Sequence, residues 1–288
     1  MTKQTTDKTL VFMPAKSDVI FKLFFGDERN LGFLISFLKS VLKLPLDEYT
    51  DIQISDPHLK REYPGDKLAI LDVKVKTKTG KWINIEIQVD VPNEMKMRNR
   101  IVYYTTKMVT EQVGGSQDYD IIKKVVSIII TGDVLIPRHN MYHDRFLIFS
   151  PESREEFTDL FEIHTLELLK LPEETDGTDL YDWLGFIKAN SEEELAMLAE
   201  RSPQMKAPIE KLLELNKDEE AGMFYEAREK ERQDIRVRER GAERIGRINE
   251  KFDVARRMLN KHKSIDDIMD ATDLSREEIE GLIYQEIG

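Results

Sequence analysis

The sequence predicts an α/β fold with a helical C-terminal extension. Three observations lead there: apolar residues at helical spacing on both sides of residues 51–91, two-residue alternation within that stretch, and a nearly continuous apolar run, KKVVSIIITG, suited to a strand buried on both faces. A chain of 288 residues with 40% hydrophobic side chains has enough apolar mass for one mid-sized core and an appendage. The expected division is a core domain over 1–215, a charged helical connector over 216–251 and a small helical module over 252–288.

Taken in order, SDVIFKLFFGDE and NLGFLISFLKSVLKL set Ile20, Phe21 and Phe24, then Leu31, Leu34, Ile35, Leu38 and Leu42, on helical faces. Ser17 stands where an N-cap belongs, and Gly26 and Pro45 act as stops. From about Asp51 the period becomes two, through DIQISDPHL and LAILDVKVKTKTGKWINIEIQVDV, with Pro57, Gly65 and Gly80 as punctuation. An antiparallel meander is expected there. NEMKMRNRIVYYTTKMVTEQV returns to helical spacing through Met97, Ile101, Tyr104, Met108 and Val109. The stretch from Leu135 to Leu215 mixes RFLIF with segments read as acidic helices, LFEIHTLELLKL and YDWLGFIKA, and completes the same domain. Trp183 reads as core or interface. From Lys217 to Lys251, ten acidic and ten basic residues interleave with few apolar anchors, the pattern of a solvated helix or connector. At the C-terminal end Ser264 and Ser275 are positioned to cap two short helices, with Glu278 closing a capping box and Leu274 set to staple onto Ile279. Such a pair has the outline of a helix-turn-helix, but REEIEGLIYQE is acidic for a major-groove reader, and docking or self-association into a homo-oligomer suits it as well.

Composition narrows the function classes. With no cysteine, thiolate metal sites and disulfides are excluded and a reducing, cytoplasmic setting is expected; no run approaches the roughly 18 apolar residues of a membrane span, so no membrane partner is expected. The net charge of -12 is carried by Pro151–Glu200, with fifteen acidic and three basic residues, so the rest of the chain is neutral and nucleic acid remains open as a partner. The five histidines, His58, His139, His143, His164 and His262, show no metal-ligand spacing and read as structural.

The chemistry concentrates in the hairpin. Alternation puts Leu71, Val73 and Val75 on one face and Asp72, Lys74 and Lys76 on the other; Ile83, Ile85, Ile87 and Val89 are apolar, and Asn84, Glu86, Gln88 and Asp90 polar. A three-residue loop of Lys78, Thr79 and Gly80, glycine in the last, left-handed position, sets Asp72 opposite Glu86. Opposed like charges with Cβ atoms about 4.5–5.5 Å apart need neutralising, and a divalent cation does so. Mg2+ takes one or two carboxylates together with substrate phosphate, so Asp72 and Glu86 suffice, with the Ile87 carbonyl as a third protein ligand and Gln88 to orient water. The same residues also fit the wet face of an ordinary hairpin. Lys74 and Lys76, with Lys96, Arg98, Arg100 and Lys107 on the next helix, offer positive charge for phosphates.

This arrangement resembles the PD-(D/E)XK nuclease core: an acid, a hairpin turn, then EIQ, with glutamine where lysine is usual. More specifically the chain resembles the recombination-promoting nucleases, PD-(D/E)XK family transposases, through SDVIFKLFFGDERN, LISFLKSVL, LAILDVKVKTKTGKWINIEIQV, RNRIVYYTTKMVTEQV, DYDIIKKVVSIII, YHDRFLIF and LFEIHTLELLKL. The resemblance implies a restriction-endonuclease-like core, a mixed central sheet flanked by helices. It also implies a DNA endonuclease dependent on Mg2+ or Mn2+ and tied to recombination or mobile elements. Asp72 and Glu86 would hold the metal and Gln88 would take the lysine's position; Arg100, Tyr103 and Gln112 match the helix behind the sheet, and Asp18 is an extra acid on the first helix. Because an amide cannot supply the lysine's charge, the other reading is a nuclease fold that binds DNA or assembles with little or no turnover.

Overall fold

The computed structural model describes residues 11–56, 58, 72–91, 93–114 and 118–287, with side chains to 282; Pro57, Gly65 and Leu71 lie outside them. The chain forms two units, Met1–Tyr225 and Glu226–Gly288.

In the first unit, α1 (Asp18–Phe25) and α2 (Leu31–Val41) turn their apolar stripes inward, burying Ile20, Phe21, Phe24, Phe25, Leu34, Phe37 and Leu38. Ser17 sits at the expected cap position in extended conformation, but its side chain makes no cap bond, so Asp18 in the first turn is the favourable group at the positive helix end. Phe25 is the hub of an aromatic cluster, its ring 4.7 Å from Phe21, 4.9 Å from Phe24, 5.5 Å from Phe37 and 5.8 Å from Trp183. Trp183, on α4 (Asp179–Lys188), is core as expected.

The sheet has six strands in the order β1-β2-β3-β4-β6-β5. They are β1 (Gln53–Ser55), β2 (Val73–Lys76), β3 (Trp82–Gln88), β4 (Val125–Thr131), β5 (His143–Phe149) and β6 (Glu156–Glu167). The first three form the antiparallel meander, β4 runs parallel to β3 and β6, and β5 returns antiparallel at the edge. The parallel β3–β4 step requires a crossover, supplied by α3 (Glu94–Thr110). Val73, Val75, Ile83, Ile85, Ile87, Val126, Ile128 and Ile130 face the main core with α1, α2 and α4. The opposite face packs on α3, where Met97 and Ile101 meet Ile129, Met108 meets Val125, and the Thr105 and Ser127 hydroxyls bond at 2.8 Å.

The hairpin turn is as the sequence predicts. Gly80 has φ +87°, a conformation that disfavours any residue with a Cβ, and the Gly80 N–H donates to the Thr77 carbonyl at 2.9 Å. Glu48 latches the turn from outside: it accepts from the Thr77 and Thr79 hydroxyls at 2.6 and 2.7 Å and pairs with Lys81. Burial opposes its ionised form, but these three donors win and hold the carboxyl at about 2.

One segment differs from expectation. LFEIHTLE belongs to β6, not to a helix. Its residues alternate, Glu162, His164 and Leu166 on one face and Phe161, Ile163 and Thr165 on the other, and pairing with β4 and β5 on both sides decides for the strand. On the core face, beside the end of α2, a buried polar chain forms: Glu162 accepts from Arg145 (2.6 Å) and pairs with Lys124 (2.7 Å), His164 bonds Glu162 at 2.7 Å, and His143 bonds His164 at 2.8 Å. Burial, with His164 and Lys43 nearby, lowers His143 to about 4 from 6.5. Its folded pKa lies below its unfolded one, so its contribution is full above about pH 6.5 and drains as pH falls toward 4; Glu48 follows between 4.5 and about 2. Asp72 and Glu86, whose pKa values are raised, gain stability over the same fall in pH, so the test is a difference in thermal melts: between pH 6.5 and 4 wild type is expected to lose on the order of 1–2 kcal/mol relative to His143→Gln. Parallel pH profiles for the two proteins would refute this.

The second unit departs from the expected division at residues 251/252. α7 runs unbroken from Glu219 to Leu259, and Phe252 and Ala255 on it pack with Ile268, Leu274, Ile279 and Leu282. Its charges pair along its own surface, as in Arg228–Glu231 and Arg247–Glu243. The caps of α8 (Ile265–Thr272) and α9 (Arg276–Ile287) are those read from the sequence: Ser264 accepts from the Asp267 N–H, and Ser275 and Glu278 close a reciprocal box. Among the described residues no helix is long and apolar enough to cross a membrane.

Candidate active site

The β2–β3 ladder pairs Val73 with Ile85, and one step further along the same register puts Asp72 opposite Glu86. Asp72 sits at the entrance of β2, beyond the last ladder pair. Its Oδ2 accepts the Ile87 N–H at 2.7 Å, and its Oδ1 pairs with Lys22 of α1 at 3.0 Å. Within a strand the N–H and C=O of one residue leave toward the same neighbour, so the Ile87 carbonyl also faces the β2 side, past the end of the ladder. Glu86 is 3% exposed, takes the Asn84 amide at 3.1 Å and meets Arg100 of α3 at 3.5 Å. Gln88, two residues on along the same face, accepts from Arg100 at 3.2 Å and donates to the Asp90 carbonyl at 3.2 Å.

Electrostatically the two acids are under stress. Burial raises the Asp72 carboxyl above its usual range, Lys22 and the Ile87 N–H pull it back, and Asp18, one turn before Lys22 on α1, pushes it up again. Glu86 is likewise raised by burial, lowered by Arg100 and raised by Asp72. A buried carboxylate whose charge is opposed by a part-buried neighbouring one is the condition a cation relieves. Among the described residues no group of three or more His, Asp or Glu side chains could by itself hold a metal. The donor set on hand is two carboxylates and a backbone carbonyl, which fits the mode in which Mg2+ keeps several waters and takes substrate phosphate.

The other residues named from the sequence divide. Asp18 and Arg100 lie around the acid pair. Lys74 does not: only 6% exposed, it pairs with Glu111 at 3.5 Å and lies 4.3 Å over the Trp82 ring, which Lys76 also covers at 4.6 Å. Gln112 brackets the chain before β4, donating to the Met108 and Lys123 carbonyls and accepting the Lys123 N–H, a structural role away from the acids. Tyr103 is exposed with its ring against Tyr104, while Tyr104 packs on Met108 and Val125. Arg98 donates to the Leu135 carbonyl, Lys107 is buried and Arg100 turns to Glu86 and Gln88 on the sheet, while Lys96 is exposed. Lys22 was not singled out by sequence reasoning. Its position four residues after Asp18 on one helix face was the signal available.

A sequence profile of the PD-(D/E)XK nuclease family transposases matches residues 15–241. No curated protein and no solved structure matches the chain.

Proposed function

The chain belongs to the PD-(D/E)XK nuclease family transposases, and from that premise we propose that it is a divalent-metal-dependent DNA endonuclease acting in transposition or recombination. The observation that carries the reading is the opposition of part-buried Asp72 and buried Glu86, two acids of raised pKa at the open end of the hairpin. Asp72, Glu86 and the Ile87 carbonyl would hold the Mg2+ or Mn2+. When bound, such an ion supplies Lewis-acid polarisation of the phosphodiester and lowers the pKa of water. Gln88, kept in orientation by Arg100 and the Asp90 carbonyl, hydrogen-bonds the attacking water. Arg100 offers its guanidinium to the charge that develops on the phosphate.

The test is nicking or linearisation of supercoiled plasmid by the purified chain. Cutting is expected with Mg2+ or Mn2+ and none in excess chelator; a folded protein that cuts with neither ion would overturn the reading. The neutral Gln88 favours a second reading, a nuclease fold that binds DNA without turnover. Retardation of a duplex at every ion concentration tried, with no product, would select it.

A further inference from the structure

The acid pair already carries two cations, and they are held differently. Arg100 is fixed at three points: Gln88 at 3.2 Å, Glu86 at 3.5 Å and the Tyr104 ring at 5.5 Å. Among the described residues Lys22 ends in a single ion pair, with Asp72 at 3.0 Å, on a side chain about as exposed as that of Arg100. The two oxygens of Asp72 are engaged differently: Oδ2 accepts the Ile87 N–H, a fixed backbone donor, while Oδ1 faces the Lys22 ammonium on its flexible stem, so Oδ1 is the oxygen whose partner can leave.

A divalent ion binds carboxylate oxygen at about 2.0–2.1 Å and repels a neighbouring ammonium, so Lys22 and the metal cannot share Oδ1 without strong repulsion. Loading therefore releases Lys22. The ammonium rides on a flexible four-carbon stem, and α1 itself stays put, because Ile20, Phe21, Phe24 and Phe25 anchor it in the core. An ammonium set loose beside a bound metal takes the nearest anion, the phosphate that accompanies the metal. Gln88 brings no charge there.

Resting on the nuclease reading, we propose that Lys22 is a displaceable counter-ion: it pairs with Oδ1 of Asp72 until a metal takes that oxygen and, once displaced, supplies to the DNA phosphate the positive charge that Gln88 lacks.

The proposal predicts opposite signs for two measurements on one variant. Titrating Mn2+ calorimetrically without DNA, Lys22→Met is expected to bind about 3- to 10-fold more tightly than wild type, since nothing has to be displaced, while plasmid cleavage falls at least about 10-fold. Lys22→Arg restores part of the cleavage. A merely structural lysine would instead lower the melting temperature, the affinity and the cleavage together, and that result overturns the proposal, as does Lys22→Met that binds no more tightly or cuts as fast as wild type. Should Lys22→Met fail to fold, Lys22→Gln, which keeps a donor for Asp72 but no charge, is expected to show the same split. The two readings fail separately. A wild type that neither binds the ion nor cuts removes the nuclease and this proposal with it, whereas a wild type that does both, beside an unchanged Lys22→Met, removes this proposal alone.

Discussion

Asp72→Asn and Glu86→Gln are each expected to lower plasmid cleavage by at least about a thousand-fold, a loss of about 4 kcal/mol of transition-state stabilisation. The amides keep the shape of the carboxylates but cannot carry the charge that holds a divalent ion. The accompanying change in stability separates this from a folding defect. Both acids have raised pKa values, so at neutral pH their ionised forms cost the fold energy, and a neutral amide removes that cost. Glu86→Gln leaves Arg100, whose side chain is 44% exposed, with access to water, so no buried charge is stranded. Its melting temperature is expected to equal or exceed that of wild type while cutting is lost. Asp72→Asn gives up the Lys22 pair and gains less. Cleavage surviving within ten-fold in both variants would sink the metal assignment.

Phe25→Ala is expected to cost about 3–5 kcal/mol, seen as a fall of about 10 °C in the melting temperature of the first unit. Phe25 is fully buried and touches four other rings, from Phe21 and Phe24 on its own helix to Phe37 on α2 and Trp183 on α4. No small rearrangement refills such a site. The consequence reaches the chemistry, since α1 carries Asp18 and Lys22 toward Asp72. Below the melting transition, residual cleavage is expected to fall further than the unfolded fraction explains. A loss under about 1 kcal/mol would mean that α1 is pinned by something other than this cluster.

The parts legible in advance were those encoded within a few residues. The hairpin register follows from alternation and from Gly80 at a left-handed turn position, and the C-terminal caps follow from Ser264, Ser275 and Glu278 at their spacings. β6 was misread because its alternating residues include enough leucine and glutamate to satisfy a helical pattern too. Its partners β4 and β5 are remote in sequence, and no local signal reports them. Lys74 was assigned to the site from its strand face and Gln112 from the family resemblance; Glu111 and Trp82 claim the first, and the backbone at Met108 and Lys123 the second. The break expected at residues 251/252 was drawn where apolar residues return, but helical backbone bonding continues through it in α7.

From its own letters the chain determined that Asp72 and Glu86 stand across a hairpin, because a turn and a two-residue period act over a handful of bonds. Which charges attend them was decided by packing. Lys22 arrives from a helix fifty residues earlier in the chain and Arg100 from the crossover on the opposite face of the sheet. Neither meeting is written in spacing, since each depends on the core that seats α1 and on the ladder that sets α3 beside β3.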